Sequence, residues 1–83
     1  MRWKQREGEN GWRVAVGEVG GISFGLHDEL NPWFYFSAEV SAKRDVQQPP
    51  ILSARFMKSH FTWQSALKMA EKMIREIGKN ERY

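Results

Sequence analysis

The residue types that could bind a metal ion or exchange protons lie together in one short stretch, His27, Asp28 and Glu29. Imidazole and carboxylate groups are common metal ligands and common general acids and bases. Neighbouring residues of a strand point to opposite faces, however, so three consecutive side chains rarely converge on one ion. We therefore predict a polar loop that ends at Asn31-Pro32, and we assign His60 to a turn before a helix.

Patterns for nucleophilic or phosphate chemistry are missing from the sequence. The chain has no Cys, and no Ser lies in a recognisable nucleophile elbow. The glycines of the segment 17–21 have the wrong spacing for a phosphate-binding loop and fall in a predicted hairpin. The sequence therefore predicts a protein without catalytic activity, and it implies no cofactor and no metal site.

Aromatic and basic residues are predicted to share the sheet face that points away from the helix. The candidate binding residues are Arg13, Trp33, Tyr35, Arg55 and Met57. Aromatic rings and Arg on an open sheet can stack on bases and contact phosphates. The same residue types are favoured in protein–protein interfaces. A third interpretation is that the two rings only cover neighbouring glycines of the sheet.

The element that must cover the other sheet face is a helix between Phe61 and Gly78. Its apolar positions are Trp63, Ala66, Leu67, Ala70, Met73, Ile74 and Ile77, which is the spacing of one helical face. Thr62 is a suitable N-cap because its hydroxyl can accept a proton from an amide of the first turn. Phe61 is placed to pack on Ala66, and Gly78 is a suitable helix terminator.

The residues before this helix alternate like strands. The predicted strands cover residues 12–18, 22–27, 33–42 and 51–57. A three-residue loop 19–21 would pair Val16 with Phe24 and Val14 with Leu26, which places every large apolar residue of the first hairpin on the helix side. In strand 33–42, we expect Phe34 under the helix and its neighbours on the other face.

Two segments have weaker patterns. The first ten residues either add an edge strand through Trp3 or fray. The polar segment Lys43–Pro50 ends in two prolines and is predicted to be a mobile loop. The chain otherwise reads as a single domain, residues 1–83, of the α+β class: an antiparallel meander of three to four strands with one C-terminal helix packed across one face (β-β-β-β-α).

Composition limits the classes of partner. The 83 residues include 13 basic and 10 acidic side chains, for a net charge of +3; residues 1–54 carry a net charge of −1 and residues 55–83 a net charge of +4. Positive charge at the helix end hints at an anionic partner, but it also fits an ordinary solvated helix face with i,i+4 pairs. The basic start is not followed by an apolar stretch, and no run is long enough for a membrane span, so we expect a cytoplasmic protein and no membrane partner.

The junction Phe61-Thr62-x-x-x-Ala66-x-x-x-Ala70-Glu71 after antiparallel strands resembles two families. One is the arm-type DNA-binding domain of tyrosine recombinases, and the other is the half-fold of HicB-type antitoxins, which bind protein. Small phage and prophage strand–strand–strand–helix proteins are similar as well. The first resemblance implies that the open sheet face enters a DNA groove through Arg13, Tyr35 and Arg55. The chain departs from that family in having fewer basic residues on the sheet and an extra strand.

The residues and the resemblances together predict a small binding module of bacterial or phage origin. We expect it to associate with itself or with another protein through the open sheet face. The alternative is that this face binds nucleic acid.

Overall fold

A computed structural model describes residues 2–40 and 51–80 of the chain, the last three of these by backbone alone. The elements are β1 (Lys4–Glu7), β2 (Arg13–Val19), β3 (Ile22–Asp28), β4 (Trp33–Val40), β5 (Leu52–Met57) and α1 (Trp63–Asn80). The predicted mobile segment 43–50 lies outside the described residues.

The five strands form one antiparallel sheet in the order β1-β2-β3-β4-β5, with α1 on one face. The predicted α+β class and meander are confirmed. The sheet has one strand more than the predicted three to four, because the short strand β1 adds to its edge. This strand settles the choice for the first ten residues in favour of an edge strand. It has no apolar alternation to reveal it, since Lys4–Glu7 are all polar and exposed.

The predicted register of the first hairpin is wrong. Val19 pairs with Ile22, so the loop contains only Gly20 and Gly21, and Gly17 lies opposite Phe24. Both loop glycines have positive φ, 58° and 80°, which is the backbone that two-residue hairpin turns require. The one-residue slip turns every side chain of β2 to the other face.

The reason for this register is the volume available under the helix. Gly17 has no side chain there, and a Cβ at this position would lie 2.7 Å from Cε2 of Phe24. Ala15 is fully buried beside Leu26. The large side chains of β3, β4 and β5 already fill the centre of this face, so the middle of β2 contributes only Ala15 and Gly17 there.

The apolar face of α1 is confirmed as the cover of the core. Trp63, Ala66, Leu67, Ala70 and Ile74 are buried, and Met73 and Ile77 are partly buried against the same cluster. From the sheet, the core receives Ala15, Phe24, Leu26, Phe34, Phe36, Ala38 and Phe56. The core is therefore one layer of aromatic and aliphatic side chains between the sheet and α1.

The predicted N-terminus of α1 is confirmed, but its predicted C-terminus is not. The Ser65 amide donates to the Thr62 hydroxyl at 3.1 Å, and the Thr62 amide donates to Ser65 Oγ at 2.8 Å, so the N-terminus has a reciprocal cap. The predicted stop at Gly78 is wrong, because the helical backbone continues to Asn80.

Side chains of β1 and the preceding residue bind the edge of the sheet to the helix. Trp3 Nε1 donates to the Glu71 carboxylate at 2.7 Å, and Trp63 Nε1 donates to Gln5 Oε1 at 3.0 Å. The Trp3 ring also meets Phe24 edge to face at 5.2 Å between centroids. Within residues 2–40 and 51–80, no helix has the length and apolar content needed to cross a lipid bilayer.

Candidate functional site

The open face is the side of the sheet turned away from α1. The register assigns to it Lys4, Arg6, Val14, Val16, Glu18, Ser23, Gly25, His27, Trp33, Tyr35, Ser37, Glu39, Ser53, Arg55 and Met57. The structure therefore brings together four of the five predicted binding residues, Trp33, Tyr35, Arg55 and Met57. The Arg55 guanidinium lies 5.0 Å from the centroid of the Trp33 ring, so these two side chains form a cation–π contact.

The fifth predicted residue, Arg13, is not on the open face, and its assignment is corrected. The two-residue turn places Arg13 on the helix side opposite Asp28. Its Nη2 donates to Asp28 Oδ2 at 3.2 Å, and its guanidinium lies 4.8 Å from the Trp63 ring centroid. Arg13 therefore belongs to a charged cluster at the start of the helix and not to the open face.

Asp28 is the centre of that cluster and is only 4% exposed. It accepts hydrogen bonds from Lys58 Nζ at 2.7 Å, from the Leu30 amide at 3.1 Å and from Arg13. Burial acts to raise the pKa of Asp28, but the hydrogen bonds from Lys58, Leu30 and Arg13 outweigh it and lower that pKa below its usual value. The carboxylate is thus ionised at neutral pH and fully engaged, which suits a structural role.

The consecutive residues 27–29 separate as the alternation of a strand predicts. His27 lies on the open face, Asp28 is buried on the helix side, and Glu29 is exposed in the following loop. Among the described residues, no three His, Cys, Asp or Glu side chains are grouped to hold a metal ion. His60 lies in the turn between β5 and the helix, as predicted.

The open-face residues form rows that cross the strands, because paired residues of an antiparallel sheet share a face. The acidic row is Glu18, Ser23 and Glu39; the middle row is Lys4, Val16, Gly25, Ser37 and Ser53; the basic row is Arg6, Val14, His27, Tyr35 and Arg55; and a fourth row beyond the basic one is Trp33 and Met57. Successive rows lie roughly 7 Å apart along the strands. The open face therefore has Glu18 and Glu39 near the β2–β3 turn, with Arg2 lining the same end, and only positive charge in the basic row.

A depression of about 610 Å³ occupies the acidic and middle rows. Its lining includes Arg2, Lys4, Glu18, Ser23, His27 and Ser37. Gly25 has no side chain, and the His27 ring lies against it, because a Cβ at Gly25 would lie 3.0 Å from Nε2 of His27. The small residues Ser23, Gly25 and Ser37 thus leave a hollow that the His27 ring borders.

Apolar side chains remain exposed in this hollow and elsewhere on the open face. Val16 is 42% exposed, Tyr35 is 36% exposed and Met57 is 43% exposed. The described residues place no other element over them. Sequence reasoning found Tyr35 and Met57 from the alternation of their strands, but it missed Val16, Lys4 and Arg6. The Gly20-Gly21 pair favours a two-residue turn, and that turn would have placed Val16 on the open face. The sequence of β1 contains no pattern that indicates a strand.

Comparison of the chain with protein-family models, curated proteins and solved structures finds no match. The geometry of the open face and of the Asp28 cluster therefore carries the functional interpretation.

Proposed function

We propose that this protein is a small non-catalytic binding module of the cytoplasm that associates, through its open face, with itself or with another protein. The observation that carries the proposal is the exposure of Val16, Tyr35 and Met57 on a sheet face that the helix does not cover. Exposed aliphatic and aromatic groups on one surface gain free energy when a partner removes them from water.

The polar groups of the protein support a binding role more than a chemical one. Asp28 is the buried carboxylate among the described residues, and it already accepts hydrogen bonds from two cationic side chains and one backbone amide. A general acid or base needs contact with a substrate proton, which this arrangement does not offer. The open face has hydroxyl, charged and apolar groups in the mixture that protein interfaces use.

Nucleic-acid binding is the second candidate, and the position of Arg6 and Arg55 in one row with Tyr35 favours it. These groups could contact phosphates and stack on a base. The acidic row opposes this candidate, because Glu18 and Glu39 on the same face repel a phosphate backbone.

The test is the molecular mass in solution, measured by light scattering over a concentration series at two salt concentrations, with and without a DNA duplex. We expect the mass to rise with protein concentration. Met57→Gln should reduce that rise, whereas Met69→Gln should not, because Met69 is similarly exposed (39%) but lies on α1.

Two results would contradict the proposal. Equal loss of association in both methionine variants would show that the open face has no special role. A monomer that binds the duplex, with an affinity that falls steeply as salt is raised, would favour the nucleic-acid candidate.

A further inference from the structure

We infer that the hollow in the open face binds a small zwitterion of the α-amino-acid type, whose side chain lies on Val16. This binding goes beyond the proposed association, which depends on exposed apolar groups of the same face and needs no small ligand. Three features of the hollow support it: its volume, the charged groups that have no partner among the described residues, and the position of the His27 ring.

The hollow has the size of a small-molecule site. Its volume is about 610 Å³, and such sites typically measure roughly 300–1,000 Å³. Its lining comes from β2, β3 and β4 and from the β1 edge, so polar groups from four adjacent strands converge on it. Ser23 and Ser37 have short side chains and Gly25 has none, so the protein leaves this space to a ligand.

Charged groups of both signs lie together at the β1 end of the hollow. Lys4 pairs with Val16, and the same register continued by two residues places Arg2 beside Glu18. The Arg2 carbonyl oxygen lies 3.5 Å from the position that a Cβ of Gly17 would take, which agrees with this placement. In the part of the chain that the structure describes, the side chains of Arg2, Lys4 and Glu18 form no ion pair. Two cations and one carboxylate are therefore available to a ligand.

These charges suit an ammonium and a carboxylate carried by neighbouring atoms of one ligand. Neighbouring strands are about 4.8 Å apart, so a carboxylate bound by Arg2 and Lys4 leaves an adjacent ammonium within reach of Glu18. Hydrogen bonds between charged groups are stronger than neutral ones. A simple anion would meet repulsion from Glu18, and a simple cation would meet repulsion from Arg2 and Lys4. Glu39 also lines the hollow, but it is not assigned to the ligand because it already has an interaction of its own.

The rest of the lining suits an aliphatic side chain on such a ligand. Val16 is 42% exposed and lies between Lys4 and Gly25 in the middle row. An aliphatic group placed on Val16 would remove apolar surface from water, which favours binding. The His27 ring lies against Gly25, where a Cβ would be 3.0 Å from Nε2. A ligand of the size of leucine would therefore lie next to the His27 imidazole.

The test is a titration with leucine, followed through the imidazole resonances of the two histidines of the chain. We expect the His27 resonances to shift with a dissociation constant of roughly 1 mM, because the hollow is open to water and leucine is small. His60 lies in the turn before α1, so its resonances should stay in place. The protein is diluted until light scattering gives the monomer mass, which separates ligand binding from association.

Two compounds with the aliphatic body of leucine test its charges on the unaltered protein. 4-Methylpentanoate lacks the ammonium, and 3-methylbutylamine lacks the carboxylate. Each should bind at least about tenfold more weakly than leucine, because each loses a charged contact and leaves a repulsion.

Matched variants test the groups of the protein. Glu18→Gln should weaken leucine binding at least about threefold and should not weaken 4-methylpentanoate, whereas Lys4→Gln should weaken both. Glu76→Gln and Lys68→Gln make the same changes at exposed positions of α1 and should leave both affinities unchanged. Urea unfolding of each variant shows whether its fold is intact.

Three results would overturn the inference. His27 resonances that stay in place at tens of millimolar leucine would refute the site, and the proposed association would still stand if Met57→Gln reduces the mass in solution. Equal shifts at His27 and His60 would show that leucine does not select the hollow. Equal affinities for leucine and 4-methylpentanoate would show a site for carboxylates alone and would refute the zwitterion.

Discussion

Replacement of Asp28 by Asn should destabilise the protein at neutral pH and should lose this effect in acid. The side chain is 4% exposed and accepts hydrogen bonds from Arg13, Lys58 and the Leu30 amide. Removal of one partner from a buried ion pair typically costs about 3–5 kcal/mol. The Arg13 and Lys58 side chains are about one-third exposed, so water compensates part of that loss, and we expect about 2–3 kcal/mol.

The pH dependence follows from the lowered pKa of Asp28 in the folded protein. A carboxyl group whose pKa is lower when folded adds stability above its unfolded pKa of about 3.9, and this stability is lost as pH falls through the folded pKa. The free energies of unfolding of the wild type and Asp28→Asn should therefore differ at pH 7 and converge as pH falls below about 4. Urea titrations at several pH values measure this difference.

The control is Glu29→Gln, which makes the same chemical change in the next residue, an exposed one. It should alter the free energy of unfolding by less than about 0.5 kcal/mol. A constant difference between Asp28→Asn and the wild type from pH 3 to pH 7 would refute the reasoning, and so would equal stability of the two proteins at pH 7.

Three further changes test the packing. Leu67→Ala should cost about 2–5 kcal/mol while Lys68→Ala costs almost nothing, and similar urea midpoints for the two would contradict the buried helix face. Trp3→Phe should cost about 1 kcal/mol by loss of its hydrogen bond to α1, with faster amide exchange in β1; unchanged exchange there would show that the bond does not hold the strand. Gly17→Ala should cost about 1–3 kcal/mol, because its Cβ would lie 2.7 Å from the Phe24 ring, whereas a neutral result would favour the other hairpin register.

The helix and the central strands could be predicted because their patterns are local. The spacing from Trp63 to Ile77 identifies one helical face, and the alternation around Phe34 and Phe36 identifies the buried side of β4. Both predictions are confirmed. Tyr35 and its open-face neighbours on β4 and β5 follow from the same alternation.

The hairpin register could not be obtained by gathering apolar residues on one side. That rule placed Val14 and Val16 under the helix, but the space there is taken by aromatic rings from later strands. Only the packed structure shows that β2 must present Ala15 and Gly17 to the core. The error also misplaced Arg13, because the faces of all β2 residues change together.

β1 could not be predicted for a different reason. Its four residues are polar, and its attachment depends on a hydrogen bond between Trp3 and Glu71, which are 68 positions apart. No local pattern contains such a contact. The cations that β1 adds to the open face, Lys4 and Arg6, were missed with it.

The central claim is that association occurs through the open face, and a dilution series with methyl-labelled methionine tests it most directly. Of the four methionines in the chain, Met57 lies on the open face, and Met69 and Met73 lie on α1. We predict that the Met57 methyl resonance shifts as the concentration rises, while the Met69 and Met73 resonances stay in place. Concentration-dependent shifts at Met69 with an unchanged Met57 resonance would contradict the account, because the contact would then lie on the helix.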